Sequence, residues 1–368
     1  MPRVLIVEGP GLDGRCARWG AEVGLEVVLG RGDLAGALAE AGPVDGAVFA
    51  PGPAGFDSEA LAGVVAAAGV PVVAVEPANL RRAGIDPTGG PLALAGARVV
   101  YGRGPETGRY ALLHLAARAA RPADTLAYGP GPDRVGDLLV PDGPGPHAVA
   151  VLLHGGFWYH AWERDLMDGL AVDLARRGWA AWNIEYRRVG AGGGWPAAGD
   201  DVATAIDHLL ALGPVYSLDL DRVATVGHSA GGQLALWAAS RGRRGAVHPH
   251  LAVGLAAITD LRAAREQGIG GRSVENLLET SPDPDKAMRD ASPLTHVPLD
   301  VPQILVHALD DEQVPLGQTR DYAEAARRDG DDVTVIELPA GAGGHFSLID
   351  PGSAAWAATA AAMEDHRK

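Results

Sequence analysis

One stretch constrains the fold of this chain more than any other: Gly227-His228-Ser229-Ala230-Gly231. It follows the β-prone run Val223-Ala224-Thr225-Val226 and precedes Gln233-Leu234-Ala235-Leu236-Trp237-Ala238-Ala239, which carries a helical pattern. A strand that turns at once into a helix needs a sharp, strained corner, and Gly227 and Gly231 leave room for it. The helix start also directs backbone N–H groups and the positive end of the helix dipole toward Ser229, which suits a developing oxyanion. The pentapeptide by itself is a weak signal; its place between strand and helix makes Ser229 a candidate nucleophile.

A serine hydroxyl is a poor nucleophile until a base removes its proton. On a sheet of this kind the partners are expected in the order serine, acid, histidine. Six histidines follow Ser229: His248, His250, His296, His307, His345 and His366. His345 ends the run Gly341-Ala342-Gly343-Gly344-His345, after the last expected strand and before the last helix, and is the candidate base. His307 ends a strand and reads as a hydrogen-bonded core residue. Three carboxylates compete for the acid in Asp310-Asp311-Glu312-Gln313-Val314-Pro315. Asp311 is preferred on its Asp-x-x-Val-Pro spacing, Asp310 is second, and one of the three is also placed to cap a helix near Pro315.

The amide of Ala230 supplies one oxyanion donor, and a second is expected from Leu153-His154-Gly155-Gly156-Phe157-Trp158, where Gly156 and Phe157 are the candidates. Phe157, Trp158, Tyr159 and Trp162 cluster beside that loop. They either line a pocket for an aromatic or acyl group or pack a core. Trp158 and Tyr159 are taken as substrate-binding, with Trp158 the preferred wall.

The 368 residues exceed what one core usually serves, so two domains are expected. Short Val-rich runs at 4–7, 26–29, 46–49, 70–75 and 97–101 alternate with helical patterns, which reads as a doubly wound, flavodoxin-like parallel sheet over 1–120. Residues 121–132 read as a linker. The second domain, 133–368, alternates strand and helix again, with a polar, irregular insertion or cap at 260–298. The formal net charge is -15, of which residues 1–120 contribute only -2. An acidic second domain argues against nucleic-acid binding. The lone Cys16 excludes an intrachain disulfide, and no metal- or phosphate-binding motif is present, so no cofactor or metal is expected. Neither a signal peptide nor a membrane span is legible, and a cytoplasmic location is the default expectation.

Several motifs carry a resemblance. His154-Gly155-Gly156-Phe157-Trp158, Glu185-Tyr186-Arg187-Arg188, Gly192-Gly193-Gly194-Trp195-Pro196, Gly227-His228-Ser229-Ala230-Gly231-Gly232 and His345-Phe346 resemble α/β-hydrolases of the kynurenine formamidase and carboxylesterase group, over about 123–362. That resemblance implies an esterase or arylformamidase-like hydrolase. It would act on a small ester or N-formyl arylamine through an acyl-enzyme, with Ser229, His345 and Asp311 as its triad. The first domain resembles type II 3-dehydroquinate dehydratase over 2–118, through Val7-Glu8-Gly9-Pro10-Gly11-Leu12, Phe49-Ala50-Pro51-Gly52, Gly69-Val70-Pro71-Val72-Val73-Ala74-Val75 and Asn79-Leu80. Ala50, Phe56 and Glu76 stand where that family has its catalytic Asn and two His, so the resemblance implies a catalytically dead module with a role in shaping the substrate site or in homo-oligomers. Dehydratase activity and a non-catalytic scaffold are the competing readings.

Overall fold

The computed structural model describes residues 1, 3–7, 15–22, 25–30, 34–49, 72–76, 98–101, 107–242 and 245–367. The chain divides into two compact units, Met1–Pro122 and Ala123–Lys368.

In the first unit, β1 (Arg3–Val7), α1 (Arg15–Glu22), β2 (Glu26–Gly30), α2 (Leu34–Ala41), β3 (Gly46–Phe49), β4 (Val72–Glu76), β5 (Arg98–Tyr101) and α3 (Thr107–Ala120) follow one another. The five strands are all parallel in the order β2-β1-β3-β4-β5, the flavodoxin-like arrangement. Val4, Ile6, Val48 and Val73 face Cys16, Trp19 and Leu112 on one side, while Leu5, Val7 and Ala47 face Leu34 and Ala37 on the other. A strand buried on both faces needs apolar side chains at every position, which is why these runs do not alternate. Residues 8–12, 50–52, 56 and 79–80, which carry much of the dehydratase resemblance, lie outside the described residues.

The second unit holds an eight-stranded sheet: β6 (Asp124–Ala127), β7 (Val135–Leu139), β8 (His147–Leu153), β9 (Ala180–Ile184), β10 (Leu218–His228), β11 (Leu251–Leu255), β12 (Gln303–Ala308) and β13 (Val333–Leu338). Their order is β13-β12-β11-β10-β8-β9-β7-β6, and only β7 runs against its neighbours. The helices between them are α4 (Asp168–Arg176), α5 (Ala197–Asp207), α6 (Leu209–Tyr216), α7 (Ala230–Ser240), α8 (Leu261–Glu266), α9 (Ser273–Leu278), α10 (Pro284–Ala291), α11 (Gly317–Arg328) and α12 (Ala354–Glu364). Strand β8 is buried at all seven positions and β10 over its last six, so the site-bearing ends of both emerge from the middle of the core. No helix among the described residues is long and apolar enough to cross a membrane.

Two expectations about organisation need correction. Residues 121–132 are not a free linker, because β6 pairs antiparallel with β7 and Thr125 donates to Asp137 at 2.6 Å. The Pro and Gly content of this stretch hid a four-residue edge strand. Residues 260–298 are not irregular either. Asp260 caps α8 by accepting from the amides of Arg262 and Ala263, and Asp283 caps α10 by accepting from Lys286. Leu261, Val274, Leu277 and Met288 are buried in the main core. Helices of six to eight residues are too short to show a full amphipathic period, so packing rather than propensity stabilises them.

Candidate active site

Ser229 stands at the junction of β10 and α7 with φ 56° and ψ -119°. A non-glycine residue in that region carries strain of about 1–3 kcal/mol, sustained only when its surroundings over-determine it. Here Ser229 donates its amide to Leu255 (2.8 Å) and accepts from the amide of Gln233 (3.2 Å). The flanking glycines are needed because the turn is tight: a Cβ at Gly227 would run into the Gly231 carbonyl, and one at Gly231 into the carbonyls of Leu153 and His154. Ser229 is 2% exposed, and its Oγ makes no hydrogen bond among the described residues.

Asp311 and His345 come together from loops 34 residues apart, with His345 Nδ1 donating to Asp311 Oδ2 at 2.6 Å. The other oxygen, Oδ1, accepts from the amides of Gln313 (2.8 Å) and Val314 (2.9 Å). Burial alone would raise the Asp311 carboxyl, but His345 and these two amides outweigh it and hold it below the usual aspartate range. Asp310 turns elsewhere and accepts from the Gly341 amide at 2.8 Å, which anchors the glycine-rich approach to His345. His307 is a core residue bonded to Thr319 Oγ1 (2.8 Å) and the Val314 carbonyl (2.9 Å).

The loop after β8 holds three consecutive residues with positive φ: Gly156 (108°), Phe157 (52°) and Trp158 (61°). His154 fixes its start, with Nδ1 2.8 Å from the Gly155 carbonyl and Nε2 2.8 Å from Glu185 Oε1. A trans peptide is planar, so holding the Gly155 carbonyl on the His154 side turns the Gly156 N–H to the opposite side. The amides of Gly156, Phe157 and Ala230 donate no hydrogen bond among the described residues. A Cβ on Gly155 would stand 3.1 Å from Ser229 Cβ, so this loop and the serine corner are in contact.

Beneath the loop lies a buried charged brace. Glu185 Oε2 accepts from the Arg164 amide (3.0 Å), and Arg188 Nε lies 3.3 Å from Oε1. Burial would raise this carboxyl too, but Arg188, His154 and Arg164 together drive it far below the usual glutamate range. Arg188, 1% exposed on its side chain, also bonds Asp133 (2.5 Å) and the Trp162 carbonyl (2.8 Å). The Glu185-Tyr186-Arg187-Arg188 motif thus secures the residues that carry Gly156 and Phe157. Its contribution was not legible in the sequence, which shows the motif but not that it folds under the loop.

The aromatic residues sort differently from the expectation. Trp158 is 1% exposed, its indole N–H donates to Gln233 Oε1 at 3.0 Å, and it belongs to the core, so it is not a pocket wall. A buried indole needs a partner for its N–H, and the positive φ turns this side chain inward to the one on α7. Tyr159 is partly exposed and its hydroxyl accepts from Asn276 Nδ2 at 2.7 Å, which ties the loop to α9. The missed aromatic is Phe346, 37% exposed, which stacks on Trp162 at 6.0 Å and meets the His345 ring edge-on at 5.4 Å. Its adjacency to His345 was the available signal. No group of three or more His, Cys, Asp or Glu side chains among the described residues is arranged to hold a metal ion.

Comparisons with known proteins agree with this architecture. Esterase LipC of Mycobacterium tuberculosis (strain ATCC 25618 / H37Rv) is 30% identical over 254 residues, which cover 61% of this chain and 60% of that protein. The chain thus spans about 60% of the length of that curated relative. Among solved structures, esterase B of Lactobacillus rhamnosis superposes with a TM-score of 0.60 at 18% identity, covering 70% of this chain and 90% of that one. Carboxyl esterase 2 of Tuber melanosporum gives 0.56 at 20%, covering 67% and 87%. At these identities the structural likeness establishes a shared α/β-hydrolase fold. The BD-FAE family profile matches residues 137–326, just over half of the chain, from within β7 to within α11, so the chain belongs to the BD-FAE family.

Proposed function

We propose that the second unit is a serine esterase acting on a small carboxylic ester. The observation that carries this reading is the convergence of three loops: the strained Ser229 corner, the charge-coupled Asp311–His345 pair and an amide-rich turn at Gly156–Phe157. His345 takes the Ser229 proton as Oγ adds to the carbonyl carbon. The amides of Gly156, Phe157 and Ala230 hold the oxyanion. His345 then returns the proton to the departing alkoxide, leaving an acyl-serine. Water repeats the sequence with His345 as base, and the acid leaves. Asp311 keeps the proton on Nδ1 and stabilises the imidazolium that forms at each step.

The names of the relatives, esterase LipC and esterase B among them, favour an ester over an N-formyl arylamine. The stacked Trp162 and Phe346 beside His345 offer a flat apolar surface to one side of the substrate. Ala50, Phe56 and Glu76 in place of acid–base groups support a non-catalytic first unit, with a role in assembly or in shaping substrate access. Replacing Ser229 by Ala tests the reading. Triad members act as a unit, so hydrolysis of p-nitrophenyl acetate should fall by about 10⁴-fold or more and fluorophosphonate labelling should vanish. An S229A variant that keeps parental turnover refutes it.

A further inference from the structure

We propose that His228 is a positioning residue for this hydrolysis: its imidazole, seated between the oxyanion loop and the base, holds the His345 main chain and so sets where the His345 ring meets Ser229. The inference rests on the triad reading above and adds a residue to it.

His228 precedes the nucleophile and is 1% exposed. Its Nε2 lies 3.1 Å from the His345 carbonyl. A carbonyl can only accept, so this nitrogen carries the proton and donates. The two imidazoles lie 4.4 Å apart, tilted by 48°. On the other side, a Cβ on Gly155 would stand 2.8 Å from His228 Nδ1, so the ring also fills the space against the oxyanion loop. One side chain therefore touches all three elements that must be in register: the serine corner it belongs to, the base and the oxyanion loop.

The charge state suits the task. Burial first, and then the neighbouring His345 and His154 rings, hold His228 well below the usual histidine range, against the hydrogen bond to the His345 carbonyl and the Asp311 charge, which pull the other way. The ring is neutral, and its Nδ1 is a buried acceptor without a hydrogen-bond partner among the described residues. A neutral neighbour lets His345 become an imidazolium at each proton transfer without a like charge 4.4 Å away. Keeping Nδ1 unpartnered costs stability that an apolar side chain would not, which argues that the donor on Nε2 is what the position needs.

The test compares two neutral amides. In Gln the amide nitrogen is as many bonds from Cα as imidazole Nε2, so His228→Gln can still donate to the His345 carbonyl. In Asn it reaches only as far as Nδ1, so His228→Asn cannot. Steady-state kinetics on p-nitrophenyl acetate should show His228→Asn down by about 10- to 100-fold in kcat with KM within about twofold, the cost of a misplaced catalytic group. His228→Gln should stay within about fivefold of the parent on the same grounds. Melting temperatures check folding; should Asn fail to fold, Leu, which fills the volume with no donor, replaces it. Asn at parental kcat, or Asn and Gln falling equally while folded, overturns the inference. Loss of activity in S229A alongside either result shows that the triad reading itself stands.

Discussion

Glu185→Gln is the sharpest perturbation of the buried brace. Both carboxylate oxygens of Glu185 are in use: Oε1 faces the His154 ring (2.8 Å), the Tyr186 amide (3.2 Å) and Arg188 (3.3 Å), and Oε2 faces the Arg164 amide (3.0 Å). Each oxygen faces a backbone donor, the Tyr186 amide on Oε1 and the Arg164 amide on Oε2. Whichever way the Gln amide turns, its NH₂ meets an N–H, and the buried Arg188 loses part of its counter-charge. Breaking a buried pair on one side costs about 3–5 kcal/mol. For a domain of this size each kcal/mol moves the melting temperature by about 2–4 °C, so the variant should melt roughly 6–20 °C below the parent at pH 7. The oxyanion loop loses its anchor as well, and kcat should fall by on the order of 10- to 100-fold with little change in KM. The pH dependence has a definite sign. The folded Glu185 carboxyl is held below its unfolded value, so its stabilisation is fully present above the unfolded pKa of about 4.3 and is lost as pH falls through the lower native value. The gap in melting temperature should therefore be constant near neutrality and close only in strong acid. Scanning calorimetry from pH 7 downward, paired with kinetics, measures both effects. A variant melting within about 2 °C of the parent at pH 7 with parental kcat refutes the brace, since it falls well short of the cost expected for a broken buried pair.

Asp311→Asn should lower kcat by about 10²–10⁴-fold by allowing the wrong His345 tautomer, whereas Asp310→Asn should stay within roughly tenfold, and kinetics of the pair separates the two carboxylates. Gly231→Ala forces a Cβ onto the Leu153 and His154 carbonyls, which cannot move without shifting β8, so the variant should lose roughly 3 kcal/mol or more in a denaturant melt. Trp162→Ala exposes one face of Phe346 and should raise KM for aryl-ring acyl esters by about 5- to 30-fold while leaving p-nitrophenyl acetate nearly unchanged, the discrimination that about 1–2 kcal/mol of aromatic contact allows.

The sequence by itself determined what is local. A strand, a five-residue corner and a helix are contiguous, and a corner that tight admits only glycine at 227 and 231, so the corner that carries Ser229 was legible from neighbours alone. The parallel strands of both units showed as unbroken Val- and Ala-rich runs because burial on two faces removes alternation. His345 followed from chain order and a glycine-rich approach. What the tertiary structure decided depends on contacts between distant residues. Asp311 rather than Asp310 meets His345, because the Gln313 and Val314 amides turn one carboxylate inward and the Gly341 amide takes the other. Trp158 is core because its indole finds Gln233, 75 positions away. His228 reaches the His345 carbonyl across 117 residues, and Glu185 reaches His154 across 31. A hydrogen bond between distant side chains leaves no periodicity in the chain, and only the folded backbone fixes which donor meets which acceptor.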